Sequence, residues 1–502
     1  MSPFSAGASG PMVVVSNRLP YNAQREPGGR PPKRNVGGLV NALEPVLVAR
    51  GGSWVGWDGV YRSSSEALSP ASSRPAAARA PSGIPMYGVP LTSKEVERYY
   101  HGCANRAIWP LFHDFPGKAV FAHHDYAAYV SVNRRFAEIA MARAGAEGRV
   151  WVQDYQLMLV PYFLKEMGFR GRVDFFLHIP FPAPEIFRAL PWRAEALAGL
   201  LAADSVGFHV ELYRDNFVAA ASMLAGARPG VPDGRNRIPI RHARGKSLAL
   251  VAPIGIDVED FERISNRSSV AALTSRLRQA HKDCKIIFGA DRLDYTKGIG
   301  ERLAALECYL EEHADAARKV VLIQVVVPSR HQVEEYKAQK REIDREVGRI
   351  NGMFGRVGWV PIHYLYRALD REDLVAYYKA ADVALVTPLR DGMNLVAPEF
   401  AASRVDEDGI LIISEFAGIA ARCEGALLVN PYDVRGTAGA ISEALGMEAD
   451  ERRRRMRSLR RVVRSNPLSQ WAVQCLGPDT VHPATSAPRF RGRTFREAPA
   501  GK

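Results

Sequence analysis

The sequence predicts an α/β fold with two parallel-sheet domains. Short β-branched segments alternate with longer helix-periodic stretches through nearly the whole chain, a pattern typical of repeated βα units. The length of 502 residues is roughly three to five times that of a typical domain. The predicted strands are Met12–Ser16, Val150–Gln153, Arg172–Leu177, Leu248–Ile254, Ile286–Ala290, Val320–Val327, Val383–Thr387 and Ile410–Ser414.

The boundary between the domains is predicted after Pro253, because a fresh series of βα units follows it. The domains then comprise residues 11–253 and 254–476. Residues 477–502 contain Pro, Arg and Gly but few apolar residues, and they predict a disordered tail.

The composition excludes several classes of protein. With 47% hydrophobic and 24% charged residues, the chain is globular rather than disordered. No stretch approaches the roughly 20 consecutive apolar residues of a membrane helix, and the first residues lack the pattern of a secretory signal. We therefore expect a cytoplasmic protein with no membrane partner. The five cysteines are scattered without a CxxC pair, and predict neither a disulfide framework nor a zinc site.

The formal charge of +13 favours an anionic partner: a nucleic acid, a lipid headgroup or a phosphorylated metabolite. Part of this charge lies in Glu451–Arg464, where apolar residues at helical spacing predict an amphipathic helix. Its arginines are compatible with a nucleic-acid face, but a solvated basic face on a docked helix is commoner. We expect no nucleic-acid partner.

Several familiar motifs fail on inspection. Gly245-Lys246-Ser247 resembles the end of a P-loop, but Ile240 stands where the first glycine is required. No GxGxxG follows the first strand, which argues against a nicotinamide dehydrogenase. The sequence also lacks HExxH and GxSxG.

Two loops of the second domain carry candidate chemistry. Arg292 and Lys297 follow the strand Ile286–Ala290, and the carboxyl end of a strand is where open α/β sheets bind ligands. An arginine and a lysine suit a diphosphate that gains charge as it leaves. The alternative is that they form surface salt bridges.

The second loop, after Val383–Thr387, contains Asp391, Gly392 and Glu399. Gly392 allows backbone amides to approach a ligand, and a helix beginning near Asn394 points its positive end at an anion. The carboxylates can accept hydrogen bonds from sugar hydroxyls, or instead be a helix cap and a solvated charge. Together with the basic loop, this combination favours a nucleotide-sugar site.

In the first domain, Arg18, Asp154 and His178 each follow a predicted strand, and together they could face one crevice. Gly38 belongs to a glycine loop before a helix. Taken singly, each histidine or aromatic side chain in these segments is more typical of a core. The surrounding segments contain Tyr100 and Trp109.

A series of sequence motifs, taken in their order along the chain, closely resembles those of the trehalose-6-phosphate synthase family over about residues 12–476. The matching segments are SNRLP, GGLV, WVGWDG, YY…N…IWPLFHD, VWVQDYQL, FFLHIPFP, DRLDYTKGI, HYLYR, TPLRDGMNLVAPEF and SEFAG…LLVNPYD. The resemblance implies a GT-B fold, two Rossmann-like domains facing across a cleft, often with a last helix that crosses back to the first domain. It implies transfer of glucose from a nucleoside-diphosphate glucose to glucose 6-phosphate with retention of configuration. It also implies no cofactor and no essential metal.

The resemblance also assigns roles to residues. Arg292 and Lys297 are expected to hold the donor diphosphate beside Gly38. Asp391 is expected to bind the donor glucose with the backbone of Gly392, Met393, Asn394 and Leu395, and Glu399 the ribose. The acceptor phosphate is expected to meet Arg18, Tyr100, Trp109 and Arg330, while Asp154 and His178 contact the sugars and Trp57 lines the acceptor side.

Two alternatives remain at this point. The chain could use another phosphorylated acceptor, as in a glucosylglycerol-phosphate synthase, or could be a catalytically silent regulator that binds sugar phosphates. The sequence leaves open the nucleotide base (uracil, guanine or adenine) and whether the chain forms a homo-oligomer. It contains no phosphatase domain, so we expect a separate trehalose-phosphate phosphatase to act on the product.

Overall fold

Two sheets organise the part of the chain that the computed structural model describes, namely residues 11–21, 38–64, 78–313, 319–329 and 334–477. The first sheet has ten strands in the order β3-β4-β2-β1-β5-β6-β7-β10-β9-β8. They are β1 (Met12–Arg18), β2 (Gly52–Trp57), β3 (Ala78–Arg79), β4 (Pro85–Gly88), β5 (Arg149–Gln153), β6 (Arg172–Phe176), β7 (Ser205–Phe208), β8 (Arg228–Pro229), β9 (Ile238–His242) and β10 (Gly245–Val251). The seven strands from β4 to β10 along the sheet are parallel, and β3, β9 and β8 add antiparallel edges.

The second sheet has six parallel strands in the order β13-β12-β11-β14-β15-β16. They are β11 (Lys285–Arg292), β12 (Val320–Val327), β13 (Ile362–Leu365), β14 (Val383–Val386), β15 (Ile410–Ser414) and β16 (Leu427–Val429). Counted from its first strand, this is the order 3-2-1-4-5-6 of a Rossmann fold. The prediction of an α/β protein with two Rossmann-like domains is therefore confirmed.

Helices cover both sheets. The first domain has α-helices Gly38–Arg50, Ser93–Glu95, Trp109–Phe112, His123–Ala144, Val160–Glu166, Pro184–Phe187, Arg193–Leu201 and Glu211–Ala225, and a π-helical stretch Val96–Ile108. The later helices are Val258–Ser265, Ser268–Ala280, Ile299–Glu312, Glu334–Phe354, Arg371–Ala380, Val396–Ser403, Val434–Gly446, Ala449–Arg464 and Leu468–Leu476. Because helices lie on both faces, central strands such as Val13–Val15 and Val383–Val386 are buried throughout.

Among the parallel strands of each sheet there is one point at which the strand order reverses direction, and ligands bind at such switch points. In the first sheet it lies between β1 and β5, and in the second between β11 and β14. Arg18 ends β1, and Asp154 follows β5. Arg292 ends β11, and Asp391 follows β14. The topology thus brings predicted site residues of each domain to a switch point.

The last helix, Leu468–Leu476, packs on the first sheet although it follows the second. Its Trp471 is fully buried, with ring centroids 4.8 Å from Trp151 and 5.2 Å from Phe176. Arg149 Nη1 donates a hydrogen bond to the carbonyl oxygen of Leu476 (2.7 Å). The end of the described chain is therefore held against the first domain.

The predicted amphipathic helix exists as Ala449–Arg464. Met456, Leu459 and Val463 are buried. Six of its arginines form ion pairs with Glu262, Glu407, Asp408 or Glu451, so much of its charge is balanced within the fold. Among the described residues, no helix is long and apolar enough to cross a membrane.

Candidate active site

Strand β11 delivers two cations to the switch point of the second sheet. Arg292 is its last residue, and Lys297 ends the short 3₁₀ turn that follows. The side chain of Asp294 accepts a hydrogen bond from the Thr296 amide (3.1 Å), which fixes this turn. The Arg292 side chain is exposed, and its guanidinium carbon lies 5.9 Å from the centroid of the Trp109 ring.

Lys297 and Asp391, which are 94 positions apart in sequence, form an ion pair of 2.7 Å. Asn394 Nδ2 donates to the same Asp391 oxygen (3.1 Å). Burial raises the pKa of Asp391, but Lys297 and Asn394 outweigh burial and hold this pKa below its usual value. Only 11% of the Lys297 side chain and 14% of the Asp391 side chain are exposed, so this is not a surface salt bridge.

The helix predicted to begin near Asn394 is present and begins at Val396. Asn394 has φ +70°, which a helix does not accommodate, and its Oδ1 accepts a hydrogen bond from the Ala397 amide (3.1 Å). The side chain that accepts from the first turn is thus that of Asn394, just before Leu395, and the alternative that Asp391 is the cap is wrong.

A buried network that the sequence did not indicate lies beneath these loops. Arg302 is fully buried and contacts Asp291 (2.7 Å), Gln324 (3.0 Å) and Thr387 (3.1 Å). Burial raises the pKa of Asp291 despite this cation. The network ties the end of β11 to the end of β14, the two strands that carry Arg292 and Asp391.

Glu399 is partly buried rather than solvated. It accepts a hydrogen bond from the Tyr378 hydroxyl (3.2 Å), and burial raises its pKa to about 7. Beside it a cavity of about 390 Å³ is lined by Leu395 and Arg371, and by Glu44 of the first domain. Glu399 therefore belongs to the helix Val396–Ser403 and lines a cavity between the domains.

Arg18 stands at the switch point of the first sheet. Its guanidinium lies 4.5 Å from the centroid of the Trp57 ring, and within the described residues no carboxylate pairs with it. Ser16 holds the Arg18 backbone by donating to its carbonyl oxygen (2.7 Å) and accepts from Trp54 Nε1 (2.7 Å). The end of strand β1 is thus fixed while the Arg18 cation stays exposed.

Asp154 and His178 follow the neighbouring strands β5 and β6. Asp154 has φ +75°, a strained conformation for an aspartate, and its Oδ1 accepts from the His178 amide (3.1 Å). His178 Nε2 donates to Gln153 Oε1 (2.9 Å). Burial and the neighbouring His209 lower the pKa of His178 well below its usual value, so the ring is neutral.

Trp109 packs between His113 (ring centroids 4.1 Å apart) and Tyr155 (5.5 Å). His113 Nδ1 donates to the Trp109 carbonyl oxygen (2.7 Å), and burial lowers the pKa of His113 to about 4. His113 was not among the predicted site residues, although it lies in the quoted IWPLFHD motif. Tyr100 lies in the π-helical stretch, where its carbonyl oxygen accepts from Asn105 Nδ2 (2.7 Å).

The two switch points meet across the domains. A Cβ on Gly392 would lie 2.0 Å from the His178 carbonyl oxygen, so only glycine fits at this position. Met393 is buried next to it.

Gly38 is the first residue of the helix Gly38–Arg50, and Arg330 lies outside the described residues. No group of three or more His, Cys, Asp or Glu in the described ranges is arranged to hold a metal ion.

Two Rossmann-like domains, with basic and carboxylate side chains at opposed switch points, fit the GT-B fold of glycosyltransferases. The sequence profile of glycosyltransferase family 20 matches residues 10–478. The chain belongs to this family.

The chain is similar to curated and solved relatives over most of its length. The trehalose-6-phosphate synthase of Mycobacterium leprae is 43% identical, and the alignment covers 95% of each chain. That of Mycolicibacterium smegmatis is 44% identical, over 92% of this chain and 90% of the relative. The structure of a UDP-forming α,α-trehalose-phosphate synthase from Burkholderia xenovorans with glucose-6-phosphate has a TM-score of 0.83 and 31% identity, covering 92% of this chain and 98% of that one. The E. coli structure with bound UDP-2-fluoro glucose has a TM-score of 0.83 and 32% identity, and the match covers 93% of this chain and 98% of that one.

Proposed function

We propose that this chain is a trehalose-6-phosphate synthase. It transfers glucose from a nucleoside-diphosphate glucose to C1 of glucose 6-phosphate, and the α configuration is retained. The observation that carries the proposal is the arrangement of Lys297, paired with Asp391, beside the exposed Arg292 at the switch point of the second sheet. The relatives reported above, with their glucose-6-phosphate and UDP-sugar complexes, support the same reaction.

On the donor side, Arg292 and Lys297 hold the diphosphate and balance the charge that develops as it leaves. The remaining donor contacts are assigned by position. Asp391 binds glucose hydroxyls, Glu399 binds the ribose, and Gly38 and the backbone of Gly392, Met393, Asn394 and Leu395 complete the site.

On the acceptor side, the exposed cation of Arg18 binds the phosphate of glucose 6-phosphate, because it has no carboxylate partner among the described residues. Asp154 and the neutral His178 contact the sugars at the reaction centre. Tyr100, Trp57, Trp109 and Arg330 complete this side.

In the reaction, the bond between C1 of the donor glucose and the diphosphate oxygen breaks. A new bond forms from that C1 to the C1 hydroxyl oxygen of the acceptor, on the same face. The hydroxyl proton passes to the departing phosphate, so the protein supplies charge stabilisation and orientation rather than a nucleophile.

The test is identification of the product by mass spectrometry and NMR. Purified protein is incubated with glucose 6-phosphate and UDP-, GDP- or ADP-glucose, with and without EDTA. We expect an α,α-1,1-linked disaccharide phosphate in the presence of EDTA. No product with any donor, alongside clear sugar-phosphate binding, would favour another phosphorylated acceptor or a silent regulator.

Four further points stay predictions: a cytoplasmic location, the absence of a nucleic-acid partner, the choice between monomer and homo-oligomer, and a separate phosphatase that removes the phosphate of the product.

A further inference from the structure

The loop that carries Asp391 is held by the second domain through its backbone. The Asp391 amide donates to the Phe416 carbonyl oxygen (3.2 Å), and the Ile419 amide donates to the Met393 carbonyl oxygen (3.0 Å). A Cβ on Gly418 would lie 2.1 Å from the carbonyl oxygen of Gly392, so the two loops are in direct contact. These contacts leave the carbonyl oxygen of Asp391 for another partner.

That partner comes from the first domain. The Tyr213 hydroxyl donates a hydrogen bond of 2.8 Å to the carbonyl oxygen of Asp391, 178 positions away in sequence. Tyr213 is only 2% exposed and lies in the first turn of the helix Glu211–Ala225, so its ring is held in place. Burial raises the pKa of Tyr213, and the hydroxyl therefore keeps its proton as a donor.

A second contact with the first domain, an ion pair between side chains, lies one residue earlier. Arg390 Nε is 2.9 Å from Asp114 Oδ2 of the first domain, and its guanidinium lies 5.4 Å from the centroid of the Tyr213 ring. Asp114 has φ +64°, a conformation that aspartate and asparagine tolerate better than most residues. Two consecutive residues of the loop thus contact the first domain, Asp391 through a hydrogen bond and Arg390 through an ion pair.

We propose that Tyr213 is a positioning residue that completes the donor-sugar site from the opposite domain. It fixes the backbone of Asp391, while Lys297 and Asn394 fix the carboxylate of the same residue. The glucose of the donor then meets a fully ordered Asp391 only when the domains are in contact. This inference rests on the proposed role of Asp391 in binding the donor sugar.

The test compares UDP-glucose with UDP as calorimetric probes of the full chain. Tyr213→Phe keeps the ring but leaves a carbonyl oxygen unpaired, and we expect the Kd of UDP-glucose to rise about tenfold. UDP lacks the sugar that Asp391 binds, so its Kd stays within about twofold, as does the KM of glucose 6-phosphate. Ser247→Ala is the matched control, because Ser247 is a buried hydroxyl that donates to the carbonyl oxygens of Leu201 and Ala203. It should lower the melting temperature and change neither Kd.

A second variant protects the test against misfolding. Asp114→Asn suits the positive φ and removes the charge facing Arg390. It should raise the Kd of UDP-glucose about threefold without raising the Kd of UDP. The inference is overturned if both variants keep the wild-type ratio of the two Kd values, whether or not they lose stability. Absence of synthesis by the wild-type protein would instead overturn the proposed function.

Discussion

The two sides of the cleft differ in how their charges are satisfied. At the switch point of the second sheet, Lys297 is neutralised by Asp391, and Arg302 by Asp291 underneath. At the switch point of the first sheet, Arg18 is exposed and lies over an aromatic ring, without a carboxylate partner among the described residues. The proposed donor side thus combines shielded ion pairs with the exposed Arg292, whereas the proposed acceptor side has the exposed Arg18 for its ligand.

The difference has an energetic consequence. Removing one member of a shielded ion pair strands the other charge, which destabilises the fold. Removing an exposed cation leaves nothing unpaired, and the cost falls on ligand binding alone. Variants on the two sides should therefore separate stability from affinity.

The largest effect is expected for Lys297→Ala. Loss of a contact to the leaving diphosphate should lower kcat by about 10²- to 10³-fold. The stranded Asp391 should also lower the free energy of unfolding by about 3 kcal/mol. Steady-state kinetics and urea denaturation measure the two effects. Lys297→Met combined with Asp391→Asn should regain stability but not turnover, and an unchanged kcat in Lys297→Ala contradicts the assignment.

Arg18→Ala should affect binding without affecting the fold. A charge-assisted hydrogen bond to a phosphate is worth about 1.5–3 kcal/mol, so the KM of glucose 6-phosphate should rise roughly 10- to 150-fold. The KM of the nucleotide sugar and the melting temperature should stay at their wild-type values. A fall in melting temperature comparable to that of Lys297→Ala would erase the contrast between the two sides.

Glu399→Gln tests whether the buried carboxyl group of Glu399 lowers the free energy of unfolding while it contributes to ligand binding. A carboxyl whose folded pKa is raised to about 7 contributes stability that is present at low pH and lost as the pH rises through that value. At pH 8 the variant should therefore be more stable by about 1–2 kcal/mol, with the difference shrinking as the pH falls and vanishing below the usual glutamate pKa of about 4.5. Urea denaturation across this range measures it, and UDP should bind more weakly. Glu443→Gln, on an exposed position of the helix Val434–Gly446, should change neither quantity.

The smallest effect is expected for removal of residues 478–502. Apart from Arg330, every residue assigned to either side of the cleft lies within the described ranges before this segment. We expect kcat and both KM values to stay within about twofold of the full chain. A large loss of turnover would mean that the basic residues of this segment supply one side of the cleft with charge.

The alternation of short apolar runs with helical stretches was enough to predict the fold, because buried parallel strands have a local signature. Less apolar strands such as Ile238–His242 were missed, and β10 starts and ends earlier than predicted because its polar residues Gly245 to Ser247 pair with that strand. The candidate site residues at strand ends could also be identified, since the carboxyl ends of parallel strands share an edge.

Contacts between distant segments could not be predicted. Gly392 was predicted to admit a ligand, but the structure adds that it faces a carbonyl oxygen of the other domain. Nothing local distinguishes Tyr213 or Arg302 from ordinary helix residues, and their roles depend on partners from other elements. Only the fold brings Lys297 to Asp391.

The docking of the last helix has a consequence for synthesis on the ribosome. All ten strands of the first sheet have been made by residue 251, but Trp471, which packs on Trp151 and Phe176, is made about 220 residues later. At translation rates of about 5–20 residues per second, the apolar patch around Trp151 and Phe176 stays uncovered for roughly 10–45 s, until Trp471 has been synthesised. The first domain must therefore remain soluble on the ribosome in an unfinished form until the end of the chain closes over it.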